Sequence, residues 1–348
     1  MSRWNYFLRR LVLAVPVVFV AMSAVFLILR AGPLDPVAAI LGQKQDPVMA
    51  HQIRLQLGII RPDGSPVPLW EQYLEFMHGL ITLNFGQSWV ISRGTPVMDL
   101  IVARAPVTIW LGFWSVMIAL LIGIPLGFYA GLNPNTSSDY LASFGGIVWR
   151  AMPNFWLAII LSSVLVSSQF FTESLFGVAL SWREWLWDTG VIGGPPLDNL
   201  ADPEQLFAAI KWIMPAAIVL GSSSMGNEMR IGRTAVLETI NSNYVETARA
   251  KGLSGRIIVW KHVFRNALIP LVPIISGEAF LLVGGSVLVE LVFGINGLGK
   301  LTFDAINSAD LTMAGGILFI FAVFLQVMNI IQDFLYTLID PRIGYEQS

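Results

Sequence analysis

The sequence contains no cysteine, and this absence excludes disulfide bonds, thiolate metal sites and cysteine nucleophiles. It has only three histidines, His51, His78 and His262, and none stands in a metal-ligand spacing such as H-E-x-x-H. Charged residues make up 13% of the 348 residues, which is about half their usual share in a soluble domain. These shortages argue against a metalloenzyme and against a soluble globular protein.

Hydrophobic residues, in contrast, make up 55% of the chain. Many of them form runs of ~20 residues, which is the length that a helix needs to cross a bilayer. Six runs have this character, at 11–29, 107–129, 140–168, 210–226, 267–293 and 313–339. Tryptophans are expected to anchor helices at the membrane interface, among them Trp182, Trp185, Trp187 and Trp212. The sequence therefore predicts an all-α membrane protein with six transmembrane helices and no soluble domain of normal size.

The first run resembles a signal peptide in having basic residues before it. It is longer than the apolar region of a signal peptide, however, and the following Arg30-Ala31-Gly32-Pro33 is a poor cleavage site. Residues 1–31 are therefore predicted as a cytoplasmic N-terminus and first membrane helix. Residues 32–103 contain seven prolines and two helical stretches, at 47–57 and 69–83, and are predicted to form a small folded extracytoplasmic segment.

The distribution of charge predicts the orientation. Between residues 226 and 266 there are seven Lys or Arg against three Glu, whereas residues 169–209 have one Arg against six acids. By the positive-inside rule, the N-terminus and the loop 227–266 are cytoplasmic and the segment 169–209 is outside. Six spans then place the tail, residues 341–348, in the cytoplasm, and residues 104–340 form the main membrane unit.

A short helix is predicted at 244–251, inside the basic cytoplasmic loop. Asn243 and Glu246 have the spacing of a capping box, and Gly252 can end the helix in the left-handed conformation. Two turns of helix are marginal in water, so this helix is expected to pack against its own chain or a partner. From spacing alone, a basic interfacial helix that only sets topology is an equally good interpretation.

The same residues carry a family resemblance. The stretch Y-V-E-T-A-R-A-K-G-L at 244–253 resembles the E-A-A…G loop of ABC-transporter membrane subunits, and most closely the dipeptide, oligopeptide and nickel importer branch. The residues 265–270, 289–293, 297–299 and 338–342, together with Met152-Pro153, also fit that branch. Thr247 departs from the general pattern, which has Ala there. In effect the resemblance covers the whole chain.

The resemblance implies a type I ABC importer permease that moves solute by alternating access. Its expected partners are a second, homologous permease, two cytoplasmic ABC ATPases and an extracytoplasmic solute-binding protein, with no nucleic acid. ATP and Mg²⁺ would bind the ATPases, and this chain would hold no cofactor. The residues implied in ATPase coupling are Tyr244, Glu246, Thr247, Ala248, Arg249, Ala250, Lys251, Gly252 and Leu253. Among them Ala248 and Ala250 are expected to allow close approach of the ATPase, while Glu246 and Arg249 fix its orientation.

The stretch G-I-N-G-L-G-K-L at 294–301 nearly matches a phosphate-binding loop, but Leu301 stands where the motif requires Ser or Thr. It also follows a membrane run instead of a strand, so a tight turn entering a short helix is predicted. Charged residues within membrane runs are costly against lipid and are expected to face a partner helix or a wet cavity. Arg150, Glu278 and Glu290 are therefore candidates for the substrate pathway, with interhelical bonding as the structural alternative.

Two other classes of function remain to be weighed. An ion-coupled secondary transporter should show inverted repeats, which are not evident here. An intramembrane enzyme would need a Ser-His, Asp-Asp or metal constellation at one depth, and none is recognised. Within the importer class, peptides are the expected substrate, and oligosaccharides or nickel chelates are the alternatives.

The predicted orientation can be tested in this cysteine-free chain with single cysteines. Ser181→Cys and Ser308→Cys should react with an impermeant thiol reagent added to sealed cells, because both positions are predicted outside. Ser254→Cys should react only after the cells are opened. Labelling of position 254 from outside would contradict the topology.

Overall fold

The computed structural model describes residues 3–32, 35–41, 46–167, 173–174, 195–278 and 287–339. Helices dominate this part of the chain, and its only strand-like pairings are the isolated bridges Ile60–Pro66 and Gln87–Pro96. The longer α-helices are α1 (Arg3–Ala31), α2 (Pro36–Leu41), α3 (Pro47–Gln56), α4 (Leu69–Ile81), α5 (Val97–Ile118), α6 (Ile124–Leu132), α7 (Ser137–Ala151), α8 (Asn154–Val166), α9 (Pro203–Ile240), α10 (Asn243–Ala250), α11 (Val272–Glu278), α12 (Val287–Phe293), α13 (Leu298–Asn307) and α14 (Leu311–Ile339). Between α10 and α11 the chain forms shorter helical segments, among them a π-helical one at Ile258–Phe264. The all-α expectation is confirmed.

Four described segments are long and apolar enough to cross a membrane: Leu8–Arg30, Val97–Leu132, Pro203–Ile240 and Leu311–Leu335. They confirm the first, second, fourth and sixth predicted runs. The second is continuous because a π-helical segment, Ala119–Gly123, joins α5 to α6. The fifth run includes residues 279–286, which lie outside the described part, and α11 and α12 stand on either side of them.

The third predicted run is not one straight helix. It consists of α7 and α8, which meet at 96° around Met152 and Pro153. Proline has no N–H and disfavours helical geometry in the residue before it, and Met152 accordingly adopts an extended conformation with ψ 126°. The chain is therefore fully interrupted at Pro153, and if the two helices are counted as one span they make a fifth crossing.

Two predicted boundaries also differ from the structure. Helix α5 begins at Val97, so the boundary predicted after residue 103 falls within a helix. Helix α9 continues to Ile240, well beyond the end of the apolar run at residue 226, because its later polar residues are still compatible with helix. At the start of the same helix, Trp212 is buried, so the expectation that it anchors at the interface is wrong.

Close backbone contact holds α6 against α9. Gly123, Gly127 and Gly131 recur every four residues and so lie on one face of the helix. A β-carbon would lie 2.8 Å from the Met225 carbonyl oxygen if placed on Gly123, and 2.9 Å from that of Arg233 if placed on Gly131. Small residues at this spacing allow helices in a bilayer to approach closely. In α14, Gly315 and Gly316 likewise leave room for the rings of Phe76 and Phe85.

Within the described part of the chain, three apolar clusters form the core. The first joins α1, α4 and α14, the second joins α5, α8 and α9, and the third joins α6 and the end of α9 to α10 and the residues that follow it. An ion pair of 3.1 Å between Arg10, early in α1, and Asp333, late in α14, places those two helix regions side by side. The first and last membrane helices are therefore antiparallel.

Asp310 connects the segment before α5 to the last membrane helix. Its Oδ2 accepts hydrogen bonds from the Ser88 hydroxyl at 2.6 Å and from the N–H groups of residues 89, 90 and 91 at 3.1–3.3 Å. Its Oδ1 accepts from the Met313 N–H at 3.3 Å, in the first turn of α14. A buried carboxylate with this many donors fixes both chain segments in position.

We expect Asp310→Ala to lower the free energy of unfolding by about 1–3 kcal/mol, because buried amides would lose their acceptor. Thermal unfolding of the full chain in lipid nanodiscs measures the effect. Asp304→Ala is the matched control, since Asp304 lies six residues earlier and is only partly buried. Equal melting temperatures for the two variants would contradict this role.

Candidate functional site

Helix α10, at the cytoplasmic end predicted from charge, corresponds to the expected coupling helix. It begins at Asn243 and ends at Ala250. The predicted capping box is wrong by one residue, because Ser242 occupies the N-cap position and donates its hydroxyl to the Thr239 carbonyl oxygen at 2.6 Å. No side chain caps the first turn, and only two residues separate α10 from the end of α9.

The predicted end of this helix at Gly252 is confirmed. Gly252 has φ +75°, and its N–H donates to the Arg249 carbonyl oxygen at 2.9 Å. The Leu253 N–H donates to the Ala248 carbonyl oxygen at 3.3 Å, which completes a Schellman motif. A side chain at residue 252 would be strained in this conformation.

Helix α10 has one buried and one exposed face. Val245 and Ala248 are buried in the third apolar cluster, with Phe128, Val236 and Val263. The expectation that Ala248 faces a partner is therefore wrong, because it packs against its own chain. The exposed residues are Tyr244, Glu246, Thr247, Arg249, Ala250, Lys251, Gly252 and Leu253. They leave a polar surface, with charges of both signs, free to contact another protein.

Two polar contacts hold the surroundings of α10. Asn266 donates its side-chain amide to the Tyr244 hydroxyl at 3.0 Å, which links the first turn of α10 to the chain that leads to α11. Arg233 forms a two-point ion pair with Asp139, with Nε–Oδ1 at 2.5 Å and Nη2–Oδ2 at 2.7 Å. Asp139 is almost fully buried and also accepts from the Asn135 N–H at 3.0 Å. Helix α7 is thus clamped to the part of α9 nearest α10.

The three pathway candidates have different surroundings. Arg150 lies in the last turn of α7, is exposed, and donates to the Asn227 side-chain oxygen at 3.1 Å. Glu278 ends α11, and its acidic neighbour is Glu228 of α9. The contacts therefore do not pair Arg150 with Glu278 directly.

The side chain of Glu290 is fully buried, and its carboxylate accepts hydrogen bonds from other parts of the chain. It accepts from the Thr108 hydroxyl at 3.1 Å and from the Lys300 N–H at 2.8 Å, at the start of α13. A β-carbon on Gly297 would lie 2.6 Å from Glu290 Oε2, so this glycine makes room for the carboxylate. The predicted tight turn before α13 is confirmed, with Gly294 at φ +67°. The surroundings of Glu290 favour the structural alternative over a place in the pathway.

No described residues form a group of three or more His, Asp or Glu that could hold a metal ion. The comparisons with known proteins decide the class. Residues 123–345 match the family described as "Binding-protein-dependent transport system inner membrane component", and residues 3–112 match its N-terminal family. The chain belongs to this family. It is a permease subunit of a binding-protein-dependent transport system and an integral membrane protein.

Relatives align with the permease over almost its whole length. The oligopeptide transport system permease protein AppB of Bacillus subtilis is 33% identical, covering 98% of this chain and 99% of AppB. The dipeptide transport system permease protein DppB of Escherichia coli is 29% identical over 99% of both chains. A solved structure of the MetNI methionine ABC transporter covers 70% of the permease at 22% identity, with a TM-score of 0.49.

Two features of the site were missed by sequence reasoning. The four-residue glycine repeat 123–127–131 was readable as a small-residue packing motif. From the sequence, Glu228 was assigned to the cytoplasmic loop, because the fourth apolar run ends at residue 226. The continuous α9 instead buries its carboxylate completely.

Glycines 252 and 255 allow a controlled test of the helix end. At both positions the site that a β-carbon would occupy has no other atom within 4 Å, but only Gly252 has a positive φ. We expect Gly252→Ala to destabilise the end of α10 by about 1 kcal/mol, and Gly255→Ala to have little effect. Hydrogen exchange across residues 243–253 should then be about fivefold faster in the first variant alone. Equal exchange in both variants would contradict the strain argument.

Proposed function

We propose that this permease is the membrane subunit of an ATP-driven importer of di- and oligopeptides. The observation that carries the proposal is the nearly full-length match to permeases of oligopeptide and dipeptide transport systems. The proposed partners are a second permease, two cytoplasmic ABC ATPases that bind ATP and Mg²⁺, and an extracytoplasmic solute-binding protein. Both termini and α10 would lie in the cytoplasm, as the charge distribution indicates.

The exposed face of α10 would dock into a cleft of an ATPase. Its buried face is fixed to the cluster formed by α6 and α9, so a displacement of α10 is transmitted to the membrane helices. Helix α9 spans 38 residues, or about 57 Å, and reaches from the outer loop to α10. The Asp139–Arg233 pair would carry the same movement to α7. ATP-driven closure of the ATPases would in this way open the permease outward, and hydrolysis would reset it.

Uptake into proteoliposomes tests the proposal. The permease is reconstituted with its partner subunits, with ATP in the compartment that the ATPases face and radioactive dipeptides, tripeptides or longer peptides on the other side. Peptide uptake that requires ATP and the binding protein is the expected result. Uptake of an oligosaccharide or nickel chelate instead would leave the transporter class intact and overturn the substrate. Uptake driven by an ion gradient without ATP would overturn the class itself.

Glu246→Lys tests the coupling role of α10, because it reverses an exposed charge on the proposed docking face. We expect at least a tenfold loss of ATP-driven uptake, together with weaker copurification of the ATPases. Glu204→Lys is the matched control, an exposed acid in the first turn of α9 at its opposite end. If Glu246→Lys keeps wild-type uptake and copurification, α10 does not transmit the movement.

A further inference from the structure

Glu228 is a buried acid whose charge the rest of the structure does not explain. Its side chain is 0% exposed, and among the described residues its carboxylate oxygens receive no hydrogen bond from a backbone N–H, a hydroxyl or a cation; the carboxyl group of Glu278 is its one polar neighbour. It lies on α9, within one of the segments long enough to cross the membrane. The burial occurs within this single chain, so it does not depend on contact with another subunit.

The carboxylate of Glu228 faces a small, oxygen-rich environment. A β-carbon on Gly123 would lie 3.1 Å from Glu228 Oε2, so the absent side chain of Gly123 leaves space for the acid. Gly123 ends the π-helical segment between α5 and α6, and such interruptions are frequent at functional sites. Glu278 is the second acid at this place, and the Ser224 hydroxyl, one turn before Glu228 on α9, interacts with it.

The helices packed around this pair provide no compensating cation among the described residues. Residues 105–132, which include the helix carrying Gly123, have no Asp, Glu, Lys, Arg or His. Helix α8 likewise has none, and α11 contributes only Glu278. Three charged residues on the neighbouring helices α7, α9 and α14 have other partners: Arg150 contacts Asn227, Arg233 pairs with Asp139, and Asp333 pairs with Arg10. Arg230, half a turn beyond Glu228, is exposed.

Two neighbouring carboxylates without a cation are strongly unfavourable in a low-dielectric environment. Buried ionisable groups in membrane helices are expensive and mark ion or proton sites when no structural partner satisfies them. Carboxyl and hydroxyl oxygens are hard ligands, suited to a proton or to a small hard cation. We propose that Glu228, Glu278 and Ser224 form a binding site for one small cation, either a proton or an alkali-metal ion, inside the permease.

The proposed site lies between two helices, α9 and α11, that flank the loop carrying α10. Glu228 lies twelve residues, or about three turns, before the end of α9, while Glu278 lies on the helix that follows the loop carrying α10. A cation held by both acids joins α9 to α11. Its binding would therefore favour the arrangement in which these two helices are close, as seen in this structure.

Melting temperatures of the full chain in lipid nanodiscs test the site. Wild type, the double variant Glu228→Gln/Glu278→Gln, and the control Glu238→Gln, an exposed acid on the same helix, are compared from pH 5 to 9. Each pH is measured in NaCl and in N-methylglucamine chloride of equal ionic strength. A ligand that binds only the folded protein raises its melting temperature as its concentration rises. Wild type and the control should show this dependence, and the double variant should lose it, with a difference of about 2 °C or more.

The result also identifies the cation. A wild-type melting temperature that rises as the pH falls, with no response to sodium, assigns a proton. A rise with sodium at constant pH assigns an alkali-metal ion. If wild type and double variant keep a constant difference in every condition, the site does not bind a cation and the proposal is wrong.

A second measurement covers the case in which the double variant does not fold. Wild-type protein is treated with dicyclohexylcarbodiimide, which modifies protonated carboxyl groups in membranes, and the modified residues are identified by mass spectrometry. Modification of Glu228 or Glu278 that decreases as the pH or the sodium concentration rises supports the site. Modification that responds to neither, or that is confined to exposed acids such as Glu238, overturns it.

Discussion

Close packing of α9 against the glycine face of α6 is the constraint on which the rest of the permease depends. In a bilayer, apolar side chains gain little by leaving lipid, so helices associate through shape and short-range contact. Gly123, Gly127 and Gly131 let the two backbones meet, and Gly226 makes a similar contact with Gly146 of α7. Helix α9 therefore contacts both neighbours along much of its length, and a movement of one is restricted by the others.

This packing gives the proposed coupling a physical basis. Helix α10 is too short to be stable alone in water, and its structure depends on burying Val245 and Ala248 against α6 and the end of α9. A helix held in this way cannot move independently of the cluster beneath it. Force applied to its exposed charged face is thus delivered to α9, and through the Asp139–Arg233 pair to α7.

The sequence predicted best the features that depend on local chemistry. The left-handed Gly252 and the turn at Gly294 each follow from the conformational freedom of glycine. The third span was predicted as continuous because hydropathy does not report the direction of the helix axis. A 96° bend leaves the run of apolar residues unchanged. The capping box failed by one residue, since Ser242 and Asn243 are equally good caps by type. Which face of α10 is buried could not be predicted, because it depends on tertiary contacts that the spacing of residues does not show.

Three buried acids show why residue type alone could not assign their roles. Asp310 and Glu290 both receive backbone N–H groups at the start of a helix, where an anion is favoured, and each holds two chain segments together. Glu228 lies in the middle of α9, where every backbone N–H is already used within the helix, so no such donor is available to it. The proposed cation, bound between Glu228 and Glu278, would neutralise this charge from outside the helix. The placement of an acid relative to helix ends, which hydropathy does not report, distinguishes a structural carboxylate from one that is open to a cation.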